Sequence, residues 1–140
     1  MDATVASIHS QLDAIEASGV PTENILLGGF SQGGTVSILA GLTYPKKLAG
    51  IVSISGWGAY REGLAAKVAD ANKETPMWYS YGQGDPIVTA PLTAKSGEVL
   101  KAILGEQVTV TPFRRGSRPP GQDELIGAMR FMVAALALEL

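Results

Sequence analysis

The stretch ILLGGFSQGGTVSILAG, residues 25–41, places a serine between glycines where a short apolar run gives way to a helical pattern. The run Ile25–Leu27 is too short for a helix and is flanked by turn formers, which indicates a buried strand ended by the glycine pair after it. From Ser31 to about Tyr44 the apolar spacing is helical, and a proline closes the helix. This order of strand, turn and helix decides both the fold and the candidate site.

Strands and helices alternate along the rest of the chain. Segment 61–72 has a weak helical pattern, and the last predicted strand contains a proline, which suits the edge of a sheet. This alternation predicts an α/β fold with a mostly parallel sheet flanked by helices. The predicted strands are residues 25–27, 50–55, 77–82 and 108–113; the predicted helices begin near Val5, Ser31, Leu92 and Asp123 and end near Gly19, Tyr44, Leu104 and Leu138.

Composition restricts the functions that the chain can serve. Its 140 residues are enough for a single domain, 1–140, and 46% hydrophobic residues with a net charge of −2 argue against disorder and against a nucleic-acid partner. The absence of cysteine and the single histidine exclude thiolate chemistry, leave little for a metal site and favour a cytoplasmic location. The apolar C-terminus is about half the length of a membrane span, so we expect no stable membrane insertion.

The pentapeptide Gly29–Gly33 has the form of a G-x-S-x-G nucleophile elbow, in which a sharp turn holds a serine hydroxyl clear of the sheet. The N-terminus of the following helix would place free N–H groups beside a developing oxyanion, and the N–H of Gln32 would be one donor. The alternative is that Ser31 is an ordinary helix cap, a common role for serine. The strand and helix context favours the elbow. The stretch also lacks the lysine of a P-loop and does not spell G-x-G-x-x-G, so we expect no nucleotide cofactor.

A serine nucleophile needs a base, and the base needs an orienting carboxylate. Asp85 lies in YGQGDPIV, residues 81–88, just after the third predicted strand, where parallel α/β sheets collect their functional loops. It follows Ser31 in the chain order that α/β-hydrolases use for serine and acid. A turn aspartate before a proline is the alternative interpretation. Position and order favour Asp85 as the triad acid.

Two stretches of the chain carry a family resemblance: VPTENILLGGFSQGGTVSILAGLTYPKKLAGIVSISGW, residues 20–57, and YGQGDPIV, residues 81–88. They resemble the phospholipase/carboxylesterase family, which includes acyl-protein thioesterases. The resemblance implies an α/β-hydrolase fold and the hydrolysis of esters or thioester-linked acyl chains without a cofactor. It implies that Ser31 is the nucleophile and Asp85 the acid. It also places Trp57 near the acyl site, and a plain core aromatic is an equally good interpretation of that residue.

The chain departs from the family pattern at its beginning. The family has further strands upstream and an H-G-x-G-type loop that supplies a second oxyanion donor, whereas here the helix near Val5 directly precedes the serine strand. The resemblance therefore implies a partial sheet that lacks the family's N-terminal strands and exposes an apolar edge. A homo-oligomer would cover that edge; otherwise the fold is rearranged or marginal.

The second departure is the missing base. The family carries its histidine between the last strand and the last helix, where this chain reads FRRGSRPPGQDEL, residues 113–125, with Arg118 or Pro119 opposite the histidine. Arginine stays protonated and cannot take the serine proton, so Arg118 is expected to form an ion pair with Asp85. The arginine-rich loop is also what a local shift of reading frame would produce. His9, the only histidine, is interpreted as a solvent-facing helical residue and not as a substitute base.

These observations predict a serine hydrolase of the carboxylesterase or acyl-protein thioesterase type, with an acyl ester or thioester as substrate and weak or absent activity. The alternative is a catalytically dead relative that binds acyl chains or interacts with other proteins. A third interpretation, an unrelated α/β module that binds an anion at a helix N-terminus, would require the family resemblance to be accidental.

Overall fold

Strands and helices alternate through the computed structural model, which describes residues 2–59, 63–116 and 118–138. The predicted alternation is confirmed. In the weakly helical segment, Arg61 and Glu62 lie outside the described residues, and the remainder of the segment forms one short α-helix and a 3-10 turn. The helices are α1 (Asp2–Ala17), α2 (Gln32–Thr43), α3 (Leu64–Lys67), α4 (Ala90–Leu104) and α5 (Gln122–Ala135); the strands are β1 (Leu26–Phe30), β2 (Gly50–Ile54), β3 (Met77–Gly82) and β4 (Val108–Phe113); 3-10 turns span Thr22–Asn24, Asp70–Asn72 and Gly105–Gln107.

The four strands form one parallel sheet in the order β1-β2-β3-β4. The register places Leu27 beside Ile51, Ile51 beside Met77 and Met77 beside Val108, so one row of apolar side chains crosses the whole sheet. Pro112 lies in β4, which is an edge strand as predicted, because proline has no N–H to donate to a further neighbour.

The first strand is longer than the sequence predicts. The glycine pair was expected to end it, but Gly28 pairs with Val52 and Gly29 with Ser53, and the strand runs on to Phe30. The pair is glycine because of close packing: a Cβ at Gly29 would lie 2.3 Å from the carbonyl of Gly33 at the start of α2. Glycine in a strand here marks the close approach of another backbone segment and not the end of the strand.

The two faces of the sheet have separate cores. Because successive strand residues point to opposite faces, Ile51 packs on one side and Val52 on the other. The first face is covered by α1, α2 and α4, and the second by α5. The first core includes Ile38, Leu42, Ile51, Met77, Tyr79, Leu100, Leu104 and Val108, and the second includes Val52, Ile54 and Ala128 with Leu26, Trp78 and Phe131 packed against them.

The first helix is anchored to the C-terminal half of α2, and this anchor corrects the interpretation of His9. His9 is half-buried, and its Nε2 lies 2.9 Å from the Ala40 carbonyl oxygen, with its ring centroid 5.2 Å from that of Tyr44. The prediction of a solvent-facing residue was therefore wrong, because α2 runs alongside this part of α1. Burial and a hydrogen bond to Asp13 raise the pKa of Tyr44 to about 12.

The carboxyl ends of the four strands lie along one side of the sheet, because the strands are parallel. Four residues of the site lie within three positions of these ends: Ser31 after β1, Ser55 after β2, Asp85 after β3 and Arg115 after β4. The sheet topology alone brings these distant parts of the sequence together.

The outer edge of β1 has no strand partner among the described residues. Ala49 donates its N–H to the Ile25 carbonyl, and Ser31 donates its N–H to the Ile54 carbonyl, both on the β2 side. Since backbone groups of a strand alternate between its two neighbours, the N–H groups of Leu26, Gly28 and Phe30 point away from β2.

Among the described residues, no helix has the length and apolar composition needed to cross a bilayer.

Candidate active site

The turn between β1 and α2 holds Ser31 in a strained conformation. Ser31 has φ of 56° and ψ of −120°, a region that residues with a side chain rarely adopt. Its N–H donates to the Ile54 carbonyl at 2.8 Å and its carbonyl accepts from the Thr35 N–H at 3.1 Å, which fixes the turn from both sides. The hydroxyl makes no capping hydrogen bond to α2. This geometry is that of a strand-turn-helix elbow and argues against an ordinary helix cap.

Small residues allow this elbow to sit close to the end of β2. A Cβ at Gly34 would lie 2.8 Å from the Ser53 hydroxyl and 3.1 Å from the Gly56 nitrogen, so only glycine fits there without displacing its neighbours. Gln32 is the first residue of α2, and its N–H therefore has no acceptor within the helix. That is the position an oxyanion donor needs, and the role of Gln32 remains a prediction.

Asp85 is a buried carboxylate with both oxygens engaged. Its Oδ1 accepts the N–H groups of Ile87 at 2.9 Å and Val88 at 3.1 Å, and its Oδ2 accepts a hydrogen bond from Arg118 Nη1 at 2.9 Å. Burial by itself raises the pKa of Asp85, but the two backbone N–H groups and the Arg118 guanidinium outweigh it and hold the pKa below its ordinary range. Asp85 is therefore an ionised, oriented acceptor.

Arg118 lies between Ser31 and Asp85. Its Nη1 donates to Asp85 Oδ2 and its Nη2 donates to Ser31 Oγ. The predicted ion pair between Arg118 and Asp85 is confirmed, and Arg118, one of the two residues predicted to stand opposite the family's histidine, contacts both the serine and the aspartate. The guanidinium carbon lies 5.1 Å from the centroid of the Phe30 ring, close enough for a cation–π contact.

The chemistry of Ser31, Arg118 and Asp85 differs from that of a Ser-His-Asp triad. An arginine side chain has five N–H donors, no acceptor, and a charge that it retains at any ordinary pH. Arg118 can therefore donate to Ser31 Oγ but cannot remove its proton. His9, the other candidate base, contacts Ala40, eight positions beyond the first residue of α2, or about 12 Å along the helix. The described residues thus place no proton acceptor on the Ser31 hydroxyl.

A second buried arginine, Arg115, connects the site to α5, and it was not predicted from the sequence. Arg115 Nε donates to Glu124 Oε2 at 2.6 Å, Arg115 Nη2 donates to Ser55 Oγ at 2.7 Å, and Arg115 Nη1 lies 3.7 Å from Asp85 Oδ2. Glu124 is fully buried and also accepts from the Ser80 hydroxyl at 2.8 Å. The signal in the sequence was an acidic residue on the inward face of the last helix, which requires a buried partner.

A small, mostly apolar cleft opens beside Ser31. It has a volume of about 230 Å³ and is lined by Ser31, Trp57, Ile87, Val88 and Leu92. Trp57 is held by Thr35, whose hydroxyl both accepts the Trp57 N–H and donates to its carbonyl, each at 3.0 Å. The structure therefore places Trp57 in the wall of the cleft, where the predicted acyl-site role requires it to be, and that role remains a prediction.

In the part of the chain that the structure describes, histidine, aspartate and glutamate side chains form no cluster suited to a metal ion.

We expect the free energy of unfolding to decrease as the pH falls below the ordinary aspartate pKa of 3.8. The pKa of the Asp85 carboxyl is lower in the folded than in the unfolded chain. As the pH falls, this carboxyl therefore takes up its proton at a higher pH in the unfolded chain than in the folded chain. The stabilisation by Asp85 is complete above its unfolded pKa and is lost as the pH falls through the folded value. Urea denaturation from neutral pH to about pH 3 checks this, and Asp85→Asn should show a smaller loss. An equal loss in both proteins would contradict the assignment.

The chain matches the profile of the family described as phospholipase/carboxylesterase over residues 1–134. It is 34% identical over 128 residues to acyl-protein thioesterase 1 of Schizosaccharomyces pombe, a match that covers 91% of this chain and 57% of the relative. It is 46% identical over 97 residues to acyl-protein thioesterase 1 of Gibberella zeae, covering 68% of this chain and 41% of the relative. The chain thus spans about half the length of these two relatives.

Among solved structures, the chain superposes on Arabidopsis thaliana SOBER1 with a TM-score of 0.86 and 26% identity. The superposition covers 94% of this chain and 62% of SOBER1. The four-stranded parallel sheet and its flanking helices therefore form part of an α/β-hydrolase fold, as the family resemblance implies.

Proposed function

Because the chain belongs to the phospholipase/carboxylesterase family, we propose that it carries the site of a serine carboxylesterase or acyl-protein thioesterase, with Ser31 as nucleophile and Asp85 as acid. We propose further that this site hydrolyses esters and thioesters very weakly or not at all. The observation that carries the proposal is the position of Arg118, which bonds both Ser31 Oγ and Asp85 Oδ2.

The reaction would require Ser31 Oγ to attack an acyl carbonyl while a base takes its proton, and the Gln32 N–H to stabilise the resulting oxyanion. The strained elbow and the position of Gln32 support the second requirement. Arg118 cannot meet the first, since it has no lone pair to accept a proton. Loss of the histidine from a serine-protease triad lowers kcat about a millionfold, and a loss of this order is expected here.

Ester and thioester hydrolysis by the purified chain tests the proposal. We expect the rates with p-nitrophenyl octanoate and with an octanoyl thioester to match those of Ser31→Ala within a few-fold, since an unactivated serine adds little to the water reaction. The matched variant removes only the hydroxyl and leaves the cleft intact. Rapid turnover that disappears in Ser31→Ala would contradict the proposed loss of activity and would show that a base reaches Ser31.

The alternative function, a catalytically dead protein that binds acyl chains, is favoured by the cleft itself. Trp57 remains fixed in its wall by Thr35, and the apolar lining needs no catalytic base to bind a hydrocarbon chain. Under this alternative, acyl binding persists in Ser31→Ala, whereas turnover is absent in both proteins.

We also propose that a second copy of the chain covers the open edge of β1. Phe30 at the end of that edge is 41% exposed, and unpaired strand edges with apolar flanks readily pair with another chain. Light scattering after gel filtration should give twice the monomer mass of 14.6 kDa; a monomer over the whole concentration range would contradict this. A cytoplasmic location also remains a prediction.

A further inference from the structure

We propose that the cleft beside Ser31 binds the carboxylate of a short or medium-chain fatty acid, and that Arg118 is the residue that recognises the carboxylate. The inference rests on the proposed function because it concerns the same site. It goes beyond that function by naming a charged ligand, whereas esters and thioesters are uncharged at the group that reacts.

The hydrogen-bond polarity of the site supports an acceptor ligand. Because Arg118 Nη2 donates to Ser31 Oγ, the serine oxygen acts as an acceptor there and keeps its own hydrogen to donate elsewhere. Two of the five N–H donors of Arg118 have protein partners among the described residues, so further N–H groups remain to bind a ligand. Ser31 lines the cleft and Arg118 contacts its hydroxyl oxygen, so both residues are placed to donate hydrogen bonds to a ligand that reaches the Ser31 end of the cleft.

The acceptors near the site are already occupied. Asp85 Oδ1 accepts two backbone N–H groups, and Oδ2 accepts from Arg118 with Arg115 also close by. A ligand that offered donors would therefore compete with these bonds, whereas a ligand that offers acceptors would satisfy donors that remain. A carboxylate has two acceptor oxygens and matches the fork of a guanidinium.

The charge balance of the site also permits an added anion. Two guanidinium groups, those of Arg115 and Arg118, face two carboxylates, those of Asp85 and Glu124. The site therefore carries no excess negative charge to repel a carboxylate. Arg118 is also the more accessible of the two arginines, with 25% of its side chain exposed against 8% for Arg115.

The apolar part of the cleft would bind the hydrocarbon chain of the ligand. Its lining beyond Ser31 consists of Trp57, Ile87, Val88 and Leu92, and its volume is about 230 Å³. Sites for drug-sized ligands usually occupy about 300–1,000 Å³, so this cleft suits a short or medium acyl chain. Ile87 is 68% exposed, and a hydrocarbon chain lying against it would remove apolar surface from water.

Titration calorimetry of the full chain with octanoate, methyl octanoate and octan-1-ol tests the proposal without any substitution. The three probes share a hydrocarbon chain and differ in the charge of the head group. We expect octanoate to bind at least ten times more tightly than either neutral probe. Equal affinity for the three would overturn the recognition of a carboxylate and leave only apolar binding.

Two matched variants test whether Arg118 is the residue that binds the carboxylate. Arg118→Gln should weaken octanoate binding at least tenfold, because a neutral amide replaces the charged fork, while the affinity for octan-1-ol should stay the same. Arg114→Gln removes an exposed arginine of the same loop and should leave both affinities unchanged. Equal loss of octanoate binding in the two variants would overturn the assignment to Arg118, and circular dichroism with a thermal melt establishes that both are folded.

Failure of this inference is distinguishable from failure of the proposed function. Binding is read as heat with non-reactive probes, whereas the proposed function is read as the rate of ester and thioester hydrolysis. A chain that hydrolyses esters rapidly yet binds octanoate through Arg118 would contradict only the proposed loss of activity. A chain without turnover that binds all three probes equally would contradict only the inference.

Discussion

Arg118→His is expected to raise the rate of p-nitrophenyl octanoate hydrolysis about 100-fold to 10,000-fold, the usual contribution of a positioned general base. The substitution introduces an imidazole where a guanidinium now bonds Ser31 Oγ and Asp85 Oδ2. Asp85 is already ionised and buried, so it can orient the ring and stabilise the imidazolium that forms when the serine loses its proton.

Two controls isolate the effect of the base. Arg118→Gln removes the guanidinium without adding a base and should remain as inactive as the unmodified chain. Arg118→His combined with Ser31→Ala should lose the gained activity completely, because the rate then has no nucleophile. A gain in Arg118→Gln as large as in Arg118→His would mean that the arginine merely blocks the serine, and the role assigned to the missing base would be wrong.

The largest expected loss of stability comes from Glu124→Leu, at about 3–5 kcal/mol of unfolding free energy. Glu124 is fully buried, and its carboxylate binds the Arg115 guanidinium and the Ser80 hydroxyl. Leucine has a similar volume but leaves Arg115 charged in a site where 8% of its side chain is exposed. The cost therefore comes from the loss of the carboxylate nearest to a buried charge, with the Asp85 carboxylate 3.7 Å from Arg115 Nη1 as a weaker partner, and not from a cavity.

Urea denaturation measures this loss, with Glu98→Leu on the exposed side of α4 as the matched control. The control should change the unfolding free energy by at most about 0.5 kcal/mol, as surface substitutions usually do. The double variant Glu124→Leu with Arg115→Met should recover much of the stability, since it removes both charges. A change of less than about 1 kcal/mol in Glu124→Leu would show that the buried ion pair contributes little to the fold.

Much of the fold could be predicted from periodicity and turn chemistry. The apolar runs and the glycine and proline stops indicated the four strands, the long helices and the position of β4 at an edge, because these signals are local. The length of β1 could not be predicted in this way. Its glycines are set by the contact between Gly29 and the start of α2, and that contact depends on the tertiary structure.

Part of the site was also readable in advance. The elbow conformation at Ser31, the position of Asp85 at the site and its ion pair with Arg118 follow from a local motif, chain order and the pairing of opposite charges; the roles of Ser31 as nucleophile and Asp85 as acid remain predictions. The Arg115 network was not predicted, because it joins residues from the turn after β2, from β3, from the last loop and from α5 that only the sheet topology brings together. Gly82 and Gly84 carried a signal of it: a Cβ at either position would lie within 3.0 Å of Arg115 atoms.

We propose that Ser31 sits in a hydrolase elbow in which Arg118 stands where the base is expected. Labelling by a fluorophosphonate probe tests this proposal, because the probe reacts with an activated serine. The measurement is the mass of the folded chain after exposure to the probe, with Ser31→Ala as the control and Arg118→His as the positive comparison. We predict no label on the unmodified chain and a label on Ser31 in Arg118→His. A label confined to Ser31 in the unmodified chain would contradict this proposal, since it would require a base that activates the serine beside Arg118.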